Sequence, residues 1–117
     1  MARIAHRDRP CPRFAATEAL KRLMGRWKVP ILLTLADGPM RYAALHRALV
    51  PITHKMLAQQ LAALEADDLI ERRELVADPP KVVEYRLGPE GERARVLLAE
   101  LQRWGAAQAN EAWAPRN

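Results

Sequence analysis

Cysteine occurs once in these 117 residues, at Cys11, so no disulfide can close within one chain and no pair of thiolates can hold zinc. Histidine is nearly as scarce. His6, His46 and His54 stand far apart, and none has a metal-ligating neighbour three or four residues away. A glycine-rich phosphate loop and a nucleophile elbow are missing too. The carboxylates Asp67 and Asp68 are adjacent, but neighbours at a helix end point apart and read as solvated. No enzymatic constellation, metal or cofactor is therefore expected. No run approaches the roughly 18 apolar residues of a membrane span, and the opening MARIAHRDRPCPR is too charged for a signal peptide. The expectation is a cytoplasmic chain with no membrane partner.

What is present is a hydrophobic fraction of 50% and a net charge of +5. A chain of this length forms one domain and buries roughly 65% of the surface its unfolded form exposes. The charge is uneven: residues 1–50 carry +7 and residues 51–117 carry −2. A positive field on the N-terminal half favours a polyanionic partner, although +5 is too mild to establish one.

Apolar spacing divides the chain. Ala16, Leu20 and Leu23 predict a helix from Phe14 to Met24, closed by Gly25. Trp27, Ile31 and Leu35 predict a second, with Pro30 tolerated in its first turn and Gly38-Pro39 as its stop. After a short extended PMR, Tyr42, Leu45 and Leu49 mark a compact third helix, and VPIT turns the chain. LIERREL and KVVEYRL read as two strands joined by VADPP, with Val83, Tyr85 and Leu87 on one face and Glu84 and Arg86 on the other. From Gly88 helical spacing resumes at Ala94, Leu97, Leu98, Leu101 and Trp104.

Between the third helix and the ribbon lies PITHKMLAQQLAALEADD, residues 51–68. At about 100° per residue, Leu57, Leu61 and Leu64 gather on one stripe, while Lys55, Gln59 and Ala62 lie nearly opposite. Thr53 is placed to cap the helix, and Ile52 to pack on Leu57 as a hydrophobic staple. Met56 stands where Glu or Gln would complete a capping box, so the expected stabilisation is that of one cap, about 1 kcal/mol. Taken alone, the polar face reads first as an ordinary exposed helical face and only second as a recognition surface. Short helix, turn, amphipathic helix and ribbon, however, are the parts of a winged helix-turn-helix: one helix braces, the next enters a groove, and the ribbon reaches the backbone beside it.

Several ordered motifs sharpen this. CP at 11–12, GRWKVPILLTLADGPMRYAALHRAL at 25–49, ITHKMLAQQLAALEADDLIERR at 52–73 and DPPKVVEYRLGPEG at 78–91 resemble the HxlR family of bacterial transcriptional regulators. The match runs from Cys11 to about Trp104. It implies a homodimer that binds a palindromic or pseudo-palindromic operator, often near an oxidative or electrophile-response gene. Three positions depart from the family pattern. Pro51 stands where the family has Gly, which excludes a positive φ at that place. PPKVVEY is one residue longer than the usual PPKVEY or PPRVEY, so a bulge or a longer tip is expected. LG replaces the usual LT before the last helix, so Gly88 supplies no hydroxyl cap.

Given that architecture, Lys55 suits guanine O6 and N7 or a phosphate, Gln59 suits adenine, and His54 lies near base edges or backbone. Thr53 is a cap whose hydroxyl could also meet a phosphate. Gln60 lies nearer the apolar stripe, and its contact and its burial are both open. Arg41, Arg73 and Lys81, with Lys28 behind them, are the candidates for phosphate contact, each weighed against an ordinary surface charge. Trp27 and Tyr42 are assigned to the core rather than to base stacking. Arg9 and Arg13 flank Cys11 and favour its thiolate; it stands where some relatives carry a redox-sensing cysteine, and the alternative is a small buried hydrophobe.

The expected layout is a basic arm at 1–10 and one mostly α domain with a small β-ribbon at 11–114. Its recognition helix spans about 53–67, its wing about 69–88 and its terminal helix about 89–113. Leu97, Leu101 and Trp104 on that last helix, with Trp113 beyond, point to pairing with a second subunit rather than packing on one core alone. The partners expected are double-stranded DNA, a second copy, and a small-molecule or oxidant effector. The competing readings are a protein-interaction module without sequence-selective DNA binding and a MarR-like ligand-responsive regulator.

Overall fold

The computed structural model describes residues 12–76, 79 and 81–111. The expectations for the N-terminal arm, Cys11 and Trp113 fall outside those residues. Helix α1 covers Pro12–Lys21 and α2 covers Lys28–Leu35. Strand β1, Met40–Arg41, leads directly into α3, Tyr42–Ala48. Helix α4 spans His54–Ala66, strands β2 and β3 span Ile70–Val76 and Val82–Leu87, and α5 runs from Pro89 to Glu111. The sheet is antiparallel with order β1-β3-β2.

The first helix departs from the spacing argument. It ends at Lys21, three residues short of Met24, and buries none of its side chains. Leu23 reaches the core only after the helix has ended, while Phe14, Leu20 and Met24 stay exposed. Helical periodicity located an apolar face there correctly, but that face has no partner among the described residues of the same chain.

Helices α2 to α4 build the core as expected. Ile31, Leu32 and Leu35 from α2, Leu45 from α3, and Leu57, Leu61 and Leu64 from α4 are all buried in one cluster. Pro30 sits in the first turn of α2, where its missing N–H costs no helical hydrogen bond. Gly38, at φ 140°, lets the chain leave α2 for β1, a conformation any side chain would strain. The start of α4 is the one the sequence implies. The Thr53 hydroxyl accepts the Met56 N–H at 3.1 Å, and Ile52 and Leu57 are both in the core cluster.

Strand register assigns the ribbon's faces. Ile70, Arg72 and Glu74 oppose Leu87, Tyr85 and Val83, and Met40 opposes Tyr85 from the other side. These residues share the inner face; on the outer face Arg86 pairs with Glu71 at 3.1 Å. The expected bulge exists, but on the opposite strand from the extra valine. Glu74 pairs with Val83 and Val76 with Val82, which leaves Leu75 as the additional residue of β2.

The last helix is joined to the sheet by close backbone packing. A Cβ on Gly91 would lie 2.2 Å from the Leu69 carbonyl oxygen, and one on Gly88 would lie 2.6 Å from that of Asp68. The hydroxyl cap that Gly88 lacks is replaced by backbone: the Glu90 N–H donates to the Asp68 carbonyl at 3.1 Å. Farther along, Leu98 is buried and Ala94 packs on the core, whereas Val96, Leu97, Leu101 and Trp104 face solvent. No helix among the described residues is long and apolar enough to cross a membrane.

Candidate nucleic-acid interface

Helix α4 presents its two sides as its leucine spacing requires. With Leu57, Leu61 and Leu64 turned inward, Lys55, Gln59 and Ala62 are exposed on the far side, Thr53 and His54 are exposed at the helix's N-terminal end beside α3, and Gln60 is half-buried at the boundary. Alanines at 58 and 62, both exposed, keep that face low between the long side chains. A groove-filling helix needs this profile, because side chains reach base edges only if the helix backbone can approach them. Among the described residues no carboxylate lies within ion-pair distance of Lys55, Arg41 or Arg73.

Beside α4, an open cleft of about 530 Å³ separates the start of α3 from the inner face of the wing. Arg41 and Tyr42 form one wall, and Arg72, Lys81 and Tyr85 the other. Glu74 sits between the wing cations, 3.5 Å from Arg72 and 3.6 Å from Lys81. These pairs are exposed, so they orient the cations more than they stabilise the fold. Burial pushes the Tyr85 phenol above its ordinary value of 10.0, against the lowering effect of its hydrogen bond to Arg72 and of that cation's charge.

Of the residues singled out from sequence, the fold sets Lys55 and Gln59 on one exposed side of α4, Thr53 and His54 at its N-terminal end, and Arg41 and Lys81 around the cleft that Tyr42 lines. Arg73 is exposed but belongs to the outer face of the sheet, opposite Glu84, and does not line the cleft. Lys28 is half-buried at the start of α2. Trp27 packs against the core as assigned, with the Arg26 guanidinium 4.9 Å from its ring centroid. Tyr42 also packs there, yet its hydroxyl turns outward to His54. Sequence reasoning passed over Arg72. Period-two alternation from the buried Ile70 would have found it, since residue 72 must share Ile70's face.

A three-helix core, an exposed second helix of the helix-turn-helix pair and a β-ribbon flanking it define a winged helix-turn-helix regulator of transcription. A family model for HxlR-like helix-turn-helix proteins matches residues 22–112. The chain belongs to this HxlR-like family. It is 46% identical over 85 residues to YdzF of Bacillus subtilis strain 168, named an HTH-type transcriptional regulator, an overlap of 72% of this chain and 77% of that one. Among solved structures, the HTH-type regulator YtcD superposes with a TM-score of 0.75 at 38% identity, covering 82% of this chain and 97% of that chain. The redox regulator HypR in its reduced form superposes with a TM-score of 0.76 at 29% identity, covering 80% and 92%.

Proposed function

We propose that this chain is a cytoplasmic, homodimeric repressor that binds a palindromic operator, with no enzymatic activity of its own. The observation that carries the reading is the exposed polar side of α4 together with a cleft walled by Arg41, Arg72 and Lys81, whose Tyr42 bonds His54 at the start of α4. In it, Lys55 and Gln59 read base edges in the major groove, with Gln60 at the margin of that contact. His54 and the capped N-terminus at Thr53 approach the strand beside them, and Arg41, Arg72 and Lys81 receive its phosphates. Arg73 contributes only from the outer face. The test is selection of bound duplexes from a random pool, followed by mobility shift at increasing salt. A recovered palindrome whose affinity falls steeply with salt supports the reading. Equal binding to unselected duplexes, or affinity indifferent to salt, would refute it and favour a protein-interaction module.

The exposed apolar residues at both ends of the described chain support the dimer. Phe14 and Leu20 on α1 and Leu97, Leu101 and Trp104 on α5 are more apolar surface than an isolated domain this small ordinarily leaves in water. In a two-fold dimer these helices pack against their counterparts and set two recognition helices one helical turn of DNA apart, about 34–36 Å. The variant Leu97→Glu/Trp104→Glu is expected to sediment as a monomer with its fold intact. A dimer persisting at the parent's concentration would exclude this face as the contact.

Likeness to a redox regulator, together with the cations flanking Cys11, supports a thiol-responsive regulator. With one cysteine per chain, oxidation would proceed through an intersubunit or mixed disulfide, or a sulfenic acid. Cys11→Ser is expected to bind the selected duplex as the parent does under reducing conditions, and to lose any release of DNA caused by diamide. Diamide-induced release that survives in Cys11→Ser would dismiss the thiol.

A further inference from the structure

His54 opens the helix assigned to the major groove, and its imidazole is held on two sides. Its Nδ1 lies 2.9 Å from the Tyr42 hydroxyl. Its ring is stacked on His46, with centroids 3.8 Å apart and planes 8° from parallel. His46 is fixed in turn, because its Nε2 lies 2.9 Å from the Ile52 carbonyl oxygen, in the turn that leads into α4. Tyr42 and His46 stand four residues apart on α3 and so project from one face of it. One element thus supplies both supports.

Hydrogen-bond chemistry sets where the protons are. A carbonyl oxygen only accepts, so the His46 nitrogen facing Ile52 must carry a hydrogen. Between a phenol and an imidazole, the phenol is the stronger hydrogen-bond acid and the imidazole the stronger base. The favourable arrangement is Tyr42 O–H donating to a bare Nδ1 of His54. A neutral imidazole whose Nδ1 is bare carries its proton on Nε2. That nitrogen is at the opposite edge of an exposed ring and has no hydrogen-bond partner among the described residues.

We infer that Tyr42 and His46 are positioning residues that fix His54 as its Nε2–H tautomer and hold the ring plane, so that this N–H donates to an acceptor-only atom of bound DNA. Such an atom is a purine N7 in the major groove or a phosphate oxygen. An unsupported histidine would divide its population between tautomers and ring orientations and would lose part of its binding in ordering itself. Here that ordering is built into the free protein. The inference rests on the DNA-binding reading for its ligand, but the tautomer itself is a property of the protein alone.

The test has two independent halves. Ring-nitrogen NMR of the free, full-length parent at mildly alkaline pH should show a protonated Nε2 and a bare, hydrogen-bonded Nδ1 at His54. In Tyr42→Phe, which keeps the aromatic packing, the same ring should shift towards a mixture of tautomers with the melting temperature unchanged. A parent His54 that carries its proton on Nδ1, or a mixture already present in the parent, overturns the inference whatever the variant does. In the second half, the duplex selected by the parent should bind Tyr42→Phe about three- to tenfold more weakly. His54→Ala should lose at least as much, and adding Tyr42→Phe to it should lose no more. Replacing purines by 7-deazapurines should abolish the difference between parent and Tyr42→Phe if N7 is the acceptor; methylphosphonate substitution should do so if a phosphate is. Additive losses in the double variant, or a difference that survives both substitutions, overturn the inference while leaving the DNA-binding reading in place. Failure of the parent to select any duplex overturns the DNA-binding reading and the proposed use of this N–H.

Discussion

Gly91→Ala is expected to destabilise the domain by about 3 kcal/mol or more, at the upper end for overpacking. The added Cβ would lie 2.2 Å from the Leu69 carbonyl oxygen and 3.1 Å from a Leu87 methyl group. Neither side has room to yield. The carbonyl belongs to the turn between α4 and β2, whose Asp68 carbonyl accepts the Glu90 N–H and so caps α5, and moving the helix away breaks that 3.1 Å bond. Domains of this size are stable by only about 5–15 kcal/mol. A loss of that order lowers the melting temperature by roughly 10–20 °C, and thermal unfolding followed by circular dichroism reads it directly. Gly105→Ala is the control. Nothing lies within 4 Å of a Cβ there, and alanine in a helix interior is favoured over glycine by up to about 1 kcal/mol. If the two variants melt alike, the packing of α5 on the Leu69 turn is not as described.

The second large effect is on recognition. Lys55→Ala and Gln59→Ala are each expected to weaken binding of the selected duplex by about 10- to 100-fold, the range of one bidentate base contact. Both side chains are exposed on α4, so truncating them should leave stability within about 0.5 kcal/mol of the parent's. Salt dependence separates their roles. If Lys55 neutralises a phosphate, its loss weakens all sequences alike and lowers the salt slope by about one; if it reads guanine, discrimination at one base pair relaxes. Gln59 carries no charge, so its variant should keep the parent's salt slope. Unchanged affinity in both variants would show that this face of α4 is not what meets DNA.

How much of this was legible beforehand depends on the range over which each feature is determined. The inward stripe of Leu57, Leu61 and Leu64, the Thr53 cap and the alternation of Val83, Tyr85 and Leu87 are local. Each follows from helix or strand periodicity and from one side chain reaching its own backbone. The polar face of α4 was legible for the same reason, as the complement of a buried stripe. Arg72 was legible by the same alternation from Ile70 but was passed over, because a charged residue is not expected on a core-facing row. The bulge shows the limit of such reasoning. An extra valine implied an irregular ribbon, but cross-strand pairing placed the additional residue at Leu75 on the partner strand.

Periodicity by itself therefore determined which elements form, which side of each is apolar, and which residues of α4 stand opposite its leucines, because these depend on angles repeated along a single segment. Only the tertiary structure decided what meets across segments. It set Tyr42 against His54, seated Gly91 on the Leu69 carbonyl, and drew Arg41 and Arg72 to one cleft. It also left the apolar faces of α1 and α5 in water. Contacts between residues far apart in sequence depend on how the elements stack, and neither spacing nor composition encodes a distance across that gap.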